Sequence, residues 1–121
     1  MIGYVTLGSN DLERAKSFYD QVLAPLGGKR MFANDRLQFW TSPNGGMFAV
    51  GQPYDKQPAT FGNGTMIGMP AASHDVVNQV HAAALAAGGT CEGEPGLRVG
   101  TFYAAYFRDL DGNKLCVFNN G

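Results

Sequence analysis

Apolar and polar positions along the chain change period twice, in the same order each time. The apolar run "IGYVTL", residues 2–7, reads as a strand, and "GSNDLERAKSFYDQVLAPLGG", residues 8–28, follows it directly. In that second stretch Leu12, Ala15, Phe18, Tyr19, Val22 and Leu23 recur at helical spacing, while Glu13, Lys16, Ser17, Asp20 and Gln21 fall on the other side. The pattern predicts a helix lying on a sheet. Asn10 and Glu13 have the spacing of a capping box, and Pro25 with Gly27-Gly28 ends the helical run. A second copy follows about sixty residues later: "PAASHDVVNQVHAAALAAGG", with Ser73 or His74 as cap, a stripe of Val76, Val77, Val80, Ala83, Ala84 and Ala87, and a Gly88-Gly89 stop.

Between the helices "KRMFA", "RLQFWTS" and "GMFAVG" read as three strands separated by "ND" and "PNGG". After the second helix come "TCEGE", "TFYAAYFRD" and "KLCVFNN", the last two joined by "LDGN", whose Asp-Gly suits a hairpin. Each half is therefore strand, helix, three strands. The predicted fold is α+β, two βαβββ modules at residues 1–58 and 62–121 in one domain spanning 1–121.

Composition narrows the partners. Nine basic against ten acidic residues leave a net charge of -1, which offers no global attraction for nucleic acid or an anionic membrane. No apolar run reaches the roughly 18 residues of a membrane span, and the N-terminus lacks a signal-peptide pattern. Two cysteines without CxxC spacing make no disulfide framework, so a cytoplasmic location is expected.

The order of elements, the opening "YVTLGSNDLERAKSFYDQVLAPLG" and the phrase "FYAAYFRDLDGNKLCVF" resemble the glyoxalase, bleomycin-resistance and extradiol-dioxygenase superfamily, the vicinal oxygen chelate proteins. The resemblance covers essentially the whole chain. Its "RDLDGNK" matches the family's R-D-P-D-G-N signature with Leu110 in place of proline. It implies two modules curled around one cleft, and in metal-dependent members four ligands: a His on the first strand and a Glu on the last strand of each module. Those positions carry Tyr4, Ala49, Met66 and Cys116 here, with the fourth strand's register open to Phe48 or Val50 in place of Ala49. None offers the imidazole and carboxylate that Zn²⁺ or Ni²⁺ chemistry needs, so no metal and no other cofactor is expected in the cleft.

No other catalytic group stands out. His74 and His81, seven apart, are expected at the cap and on the solvent side of the second helix. Asp11, Glu13 and Asp75 suit helix starts, and Asp109 and Asp111 suit the hairpin turn. Glu92 and Glu94 alternate on the sixth strand, expected at an exposed edge, and neither Cys91 nor Cys116 has an activating neighbour in sequence.

Strand alternation instead gathers a binding surface. Tyr4, Thr6, Ala49, Met66, Gly68, Cys116 and Phe118 share the cleft side, with Tyr106 beside them and Arg98 on the loop before the seventh strand. This lining suits an apolar or aromatic ligand, with Arg98 available for an anionic group. The expected function is metal-independent small-molecule binding in a homodimer. Two alternatives stand beside it: a lyase or isomerase resembling lactoylglutathione lyase, and a structural or regulatory domain whose cleft is filled by side chains.

Overall fold

The computed structural model describes residues 1–121. The first half comprises β1 (Tyr4–Gly8), α1 (Leu12–Leu23), a 3₁₀ turn (Ala24–Leu26), β2 (Lys29–Ala33), β3 (Leu37–Thr41) and β4 (Met47–Gly51). The second comprises β5 (Ile67–Pro70), α2 (His74–Ala86), β6 (Thr90–Leu97), β7 (Tyr103–Arg108) and β8 (Lys114–Asn119). Each half makes one four-stranded sheet, ordered β1-β4-β3-β2 and β5-β8-β7-β6. In both, the first strand runs parallel to the last, and the remaining pairs are antiparallel. The duplicated βαβββ plan read from the sequence is the fold.

Both helices bury an apolar face. Ala15, Phe18, Tyr19, Val22 and Leu23 of α1 are buried, each large side chain contributing about 1.5–3 kcal/mol of hydrophobic stabilisation. The α1 cap is Asp11 rather than Asn10: the Asp11 carboxylate accepts from Arg14 N–H. Asn10 is used elsewhere, holding the inter-module segment by a donor and an acceptor to the Ala59 backbone at 3.2 and 2.7 Å. Ser73 caps α2 by accepting from Val76 N–H, as the sequence suggested.

Two further expectations fail. His81 is only 3 % exposed, because the buried face of α2 runs through Val77, Val80, His81 and Ala84. That i, i+3, i+4, i+7 series is rotated from the stripe expected through Val76, Ala83 and Ala87. The sixth strand also extends past "TCEGE" to Leu97, taking in Pro95, which an edge strand tolerates. Its register shifts twice against β7, between Cys91 and Gly93 and between Gly93 and Gly96. These bulges break the simple alternation of Glu92 and Glu94: Glu92 reaches Arg108 at 3.0 Å, while Glu94 lies against Cys91.

One hydrophobic core draws on both halves, from Leu7, Phe18, Trp40 and Phe48 to Val77, Val80, Phe107 and Val117. The "RDLDGNK" turn joins the halves through polar contacts. Asp109, buried, accepts from the Tyr19 hydroxyl, from Asn113 Nδ2, and from the backbone N–H of Asp111 and Asn113. Asn113 Nδ2 also donates to the Gly8 carbonyl, and Asp111 accepts from the Asn10 N–H, both at 2.9 Å. Gly112 in this turn has φ +86°, a left-handed conformation open to glycine. Here the turn acts as a clasp between the end of β1, the start of α1 and the β7–β8 hairpin.

Candidate functional site

Each sheet turns alternate side chains toward its helix and away from it. Leu7, Phe48, Val50 and Trp40 of the first sheet, and Met69, Leu115, Val117, Ala105 and Phe107 of the second, enter the shared core. Ala49, Ala104 and Cys116 are buried but lie outside that core. They belong to the opposite, helix-distal faces, and this settles the register of the fourth strand: Ala49, not Phe48 or Val50, stands beside Thr6 and Phe39.

On the first helix-distal face Tyr4 packs against Phe39 with ring centroids 5.6 Å apart, and Phe39 against Phe32 at 5.9 Å. Tyr4 is 57 % and Phe32 55 % exposed, so a row of aromatic rings faces outward beside Thr6. On the second face Cys116 lies between Gly68 and Tyr106 in the ladder. Phe118 stacks on Phe102 at 5.3 Å, and an added side-chain carbon on Gly68 would touch the Phe118 ring. Met66 lies just before β5 and is 45 % exposed; Gly68, not Met66, is the strand residue opposite Cys116.

Arg98 is exposed but not free. Its guanidinium donates to the carbonyls of Glu94 and Gly96 at 2.6 and 2.9 Å and sits over the Tyr106 ring at 5.4 Å. Lys114, two residues before Cys116, approaches the same ring at 5.7 Å. The sequence reading missed Lys114, although its period-two spacing from Cys116 and Phe118 was a usable signal. Burial pushes the Cys116 thiol above its ordinary value, against the opposing pull of Tyr106, Arg98 and Lys114. Burial and the neighbouring Cys116 likewise raise the Tyr106 hydroxyl. Neither group is activated as a nucleophile or base.

A cavity of about 320 Å³ is bounded by Tyr4 and Val5 of β1, Trp40 of β3 and Ile67, Gly68 and Met69 of β5. It brings together Tyr4 and Gly68 of the expected binding residues. Thr6 lines a separate depression under the segment from Gln52 to Thr60, Ala49 is closed over, and Tyr106, Cys116, Phe118 and Arg98 form the second-sheet group. The expected residues therefore divide among these regions instead of lining one continuous pocket.

The fit to a metal of the superfamily's kind turns on the donors available. Strands β1, β4, β5 and β8, "YVTLG", "MFAVG", "IGMP" and "KLCVFN", contain no histidine, aspartate or glutamate. A hard or borderline divalent ion finds no imidazole or carboxylate there, and the donor set does not fit it.

Comparison with known proteins agrees with this architecture. The family model of the Glyoxalase/Bleomycin resistance protein/Dioxygenase superfamily matches residues 1–117. A crystal structure of a glyoxalase/bleomycin resistance protein from Albidiferax ferrireducens T118 superposes with TM-score 0.91 at 44 % identity, covering 100 % of this chain and 99 % of that one. A glyoxalase-related enzyme from Fulvimarina pelagi gives TM-score 0.78 at 22 % identity, covering 99 % and 88 % of the two chains. A glyoxalase/bleomycin resistance protein/dioxygenase family enzyme from Burkholderia phytofirmans PsJN gives 0.79 at 17 %, covering 98 % of each; these two likenesses concern the fold alone. No curated protein matches the sequence. No helix is long and apolar enough to cross a membrane. With its duplicated sheets and a family match over nearly its whole length, the chain belongs to the glyoxalase/bleomycin resistance/dioxygenase superfamily.

Proposed function

We propose that this chain binds a small apolar or aromatic molecule on its helix-distal surface without a divalent metal. The observation that carries the reading is the absence of any histidine or carboxylate from β1, β4, β5 and β8, the strands that would bear the superfamily's metal ligands. Exposed Tyr4 and Phe32 on one face and the Phe102–Phe118 stack on the other present aromatic surface to a ligand. The Arg98 and Lys114 cations around Tyr106 suit an anionic substituent on it.

Two copies of the chain complete this surface in our reading. Tyr4, Met31, Phe32, Met66, Leu97 and Val99 are all exposed large hydrophobics, side chains that a second copy would take out of water. A second reading, in which the surface is closed by the protein's own side chains, draws on the complete burial of Ala49 and Ala104. A screen of planar aromatic compounds and glutathione adducts, read by thermal melting in a chelator, separates these. Stabilisation without metal supports binding, and stabilisation only by glutathione adducts after Ni²⁺ or Zn²⁺ is added supports a lyase. No stabilisation by any compound supports the closed surface.

A further inference from the structure

Away from these faces, the buried side of α2 meets the edge strand β6 at three side chains that could each ligate a metal. His81 Nε2 lies 3.3 Å from Cys91 Sγ, and Cys91 Sγ lies 3.4 Å from Glu94 Oε1. All three donor atoms fall within 4.8 Å of one another. Two features of the fold put them there: the rotated face of α2, which buries His81, and the bulge after Cys91, which separates Glu94 from Glu92. The neighbouring Glu92 is engaged by Arg108 at 3.0 Å.

We propose that His81, Cys91 and Glu94 form a three-ligand site for Zn²⁺ or a similar borderline divalent ion, distinct from the superfamily's cleft positions. Bond lengths of about 2.3 Å to sulfur and about 2.0–2.1 Å to nitrogen or oxygen, at a tetrahedral angle, separate the donor atoms by roughly 3.5 Å. Two of the three separations, 3.3 and 3.4 Å, are close to that spacing, and the third, from His81 to Glu94, lies within 4.8 Å, a gap that a small side-chain movement closes. A thiolate, an imidazole and one carboxylate select Zn²⁺ or Co²⁺ over Mg²⁺ or Ca²⁺, which want oxygen ligands. Three protein ligands leave the fourth position to water or an exogenous group.

The donor atoms already face one another: His81 Nε2 points at Cys91 Sγ, and Cys91 Sγ at the Glu94 carboxylate. An entering divalent cation displaces the Sγ proton to solvent, forms the metal–sulfur bond and offsets the Glu94 charge. The absence of metal ligands expected from the sequence thus applies to the cleft strands and not to this back-side cluster.

Titration of the chelator-stripped full chain with Co²⁺ tests the site, because a thiolate on cobalt gives a near-ultraviolet charge-transfer band and a tetrahedral ion gives intense visible bands. The wild type should take up one equivalent with both signatures. Cys91→Ser should abolish the charge-transfer band, and Glu94→Gln, at an exposed position that does not endanger folding, should weaken Co²⁺ at least about tenfold, as loss of metal-site partners commonly does. Cys116→Ser should keep the wild-type Co²⁺ bands and stoichiometry. A wild-type chain without a charge-transfer band at millimolar Co²⁺ overturns the proposal. So does a band that survives Cys91→Ser or vanishes in Cys116→Ser, or an affinity unchanged in Glu94→Gln. None of these outcomes bears on ligand binding at the cleft faces, which carry none of the three residues.

Discussion

The Tyr19 hydroxyl of α1 donates to the buried carboxylate of Asp109, ninety residues away in the turn between β7 and β8. This bond crosses from one module to the other inside the core, and Asp109 spends its remaining acceptor capacity on Asn113 and the turn's own backbone. Removing the hydroxyl leaves a buried charge short of one partner, whose desolvation is then uncompensated. Tyr19→Phe should therefore lower unfolding free energy by about 1–3 kcal/mol, seen as a lower urea midpoint at unchanged slope. A double-mutant cycle with Asp109→Asn should give a coupling of about 1 kcal/mol or more. A Tyr19→Phe midpoint equal to wild type would show that the clasp is carried by the other contacts.

His81 gives the fold a dependence on acid pH. Its burial favours the neutral ring in the native state, with Glu94 acting the other way and Cys91 facing the same nitrogen. An unfolded chain then binds more protons than the native one between the lowered native value and the ordinary value of 6.5. Stability of the metal-free protein should fall as pH drops below about 6.5, and His81→Gln should flatten that decline. Denaturant melts across pH 5 to 7.5, at about half-unit steps, check this. A wild-type slope retained in His81→Gln would assign the decline to carboxylates.

Much of this architecture is legible in the chain, and the illegible parts share a cause. Helix stops such as Gly27-Gly28 and Gly88-Gly89, the period-two strands and the duplicated order are local signals, and local physics decides them. The site is different. His81 looked solvent-facing because it flanks the stripe of Val76, Val80, Ala84 and Ala87, yet its spacing from Val77 and Ala84 already placed it on their face. Glu94 and Cys91 meet through a bulge, which no periodic pattern announces. Met66 missed its strand by one residue, within the ordinary uncertainty of element ends. The "RDLDGNK" phrase was visible as a motif, but its partners, Tyr19, Asn10 and Gly8, come from the other module and are known only once the chain is folded.

The proposed pairing of two chains through the exposed apolar residues has a direct test. Light scattering at micromolar concentration should report about 26 kDa, twice the 12.9 kDa chain. Phe32→Lys, which places a charge on the outward aromatic row of β2 and β3, should shift the population toward single chains if that row is covered by a second copy. A mass of about 13 kDa for the wild type would mean that the row is left to solvent or ligand.

The central question is whether the aromatic cleft faces bind a ligand with no metal present. The decisive measurement is a thermal melt of the Cys91→Ser variant in excess chelator, against planar aromatic ligands and glutathione adducts, so that neither a cleft ion nor the back-side cluster contributes. At a hundredfold excess over its dissociation constant a ligand should add about 2.7 kcal/mol of stability, a rise on the order of ten degrees for a domain of this size. The rise should shrink when Tyr4→Ala empties the outward ring. Stabilisation that appears only when Ni²⁺ or Zn²⁺ is supplied, or no stabilisation by any aromatic compound, would rule out metal-free binding at these faces.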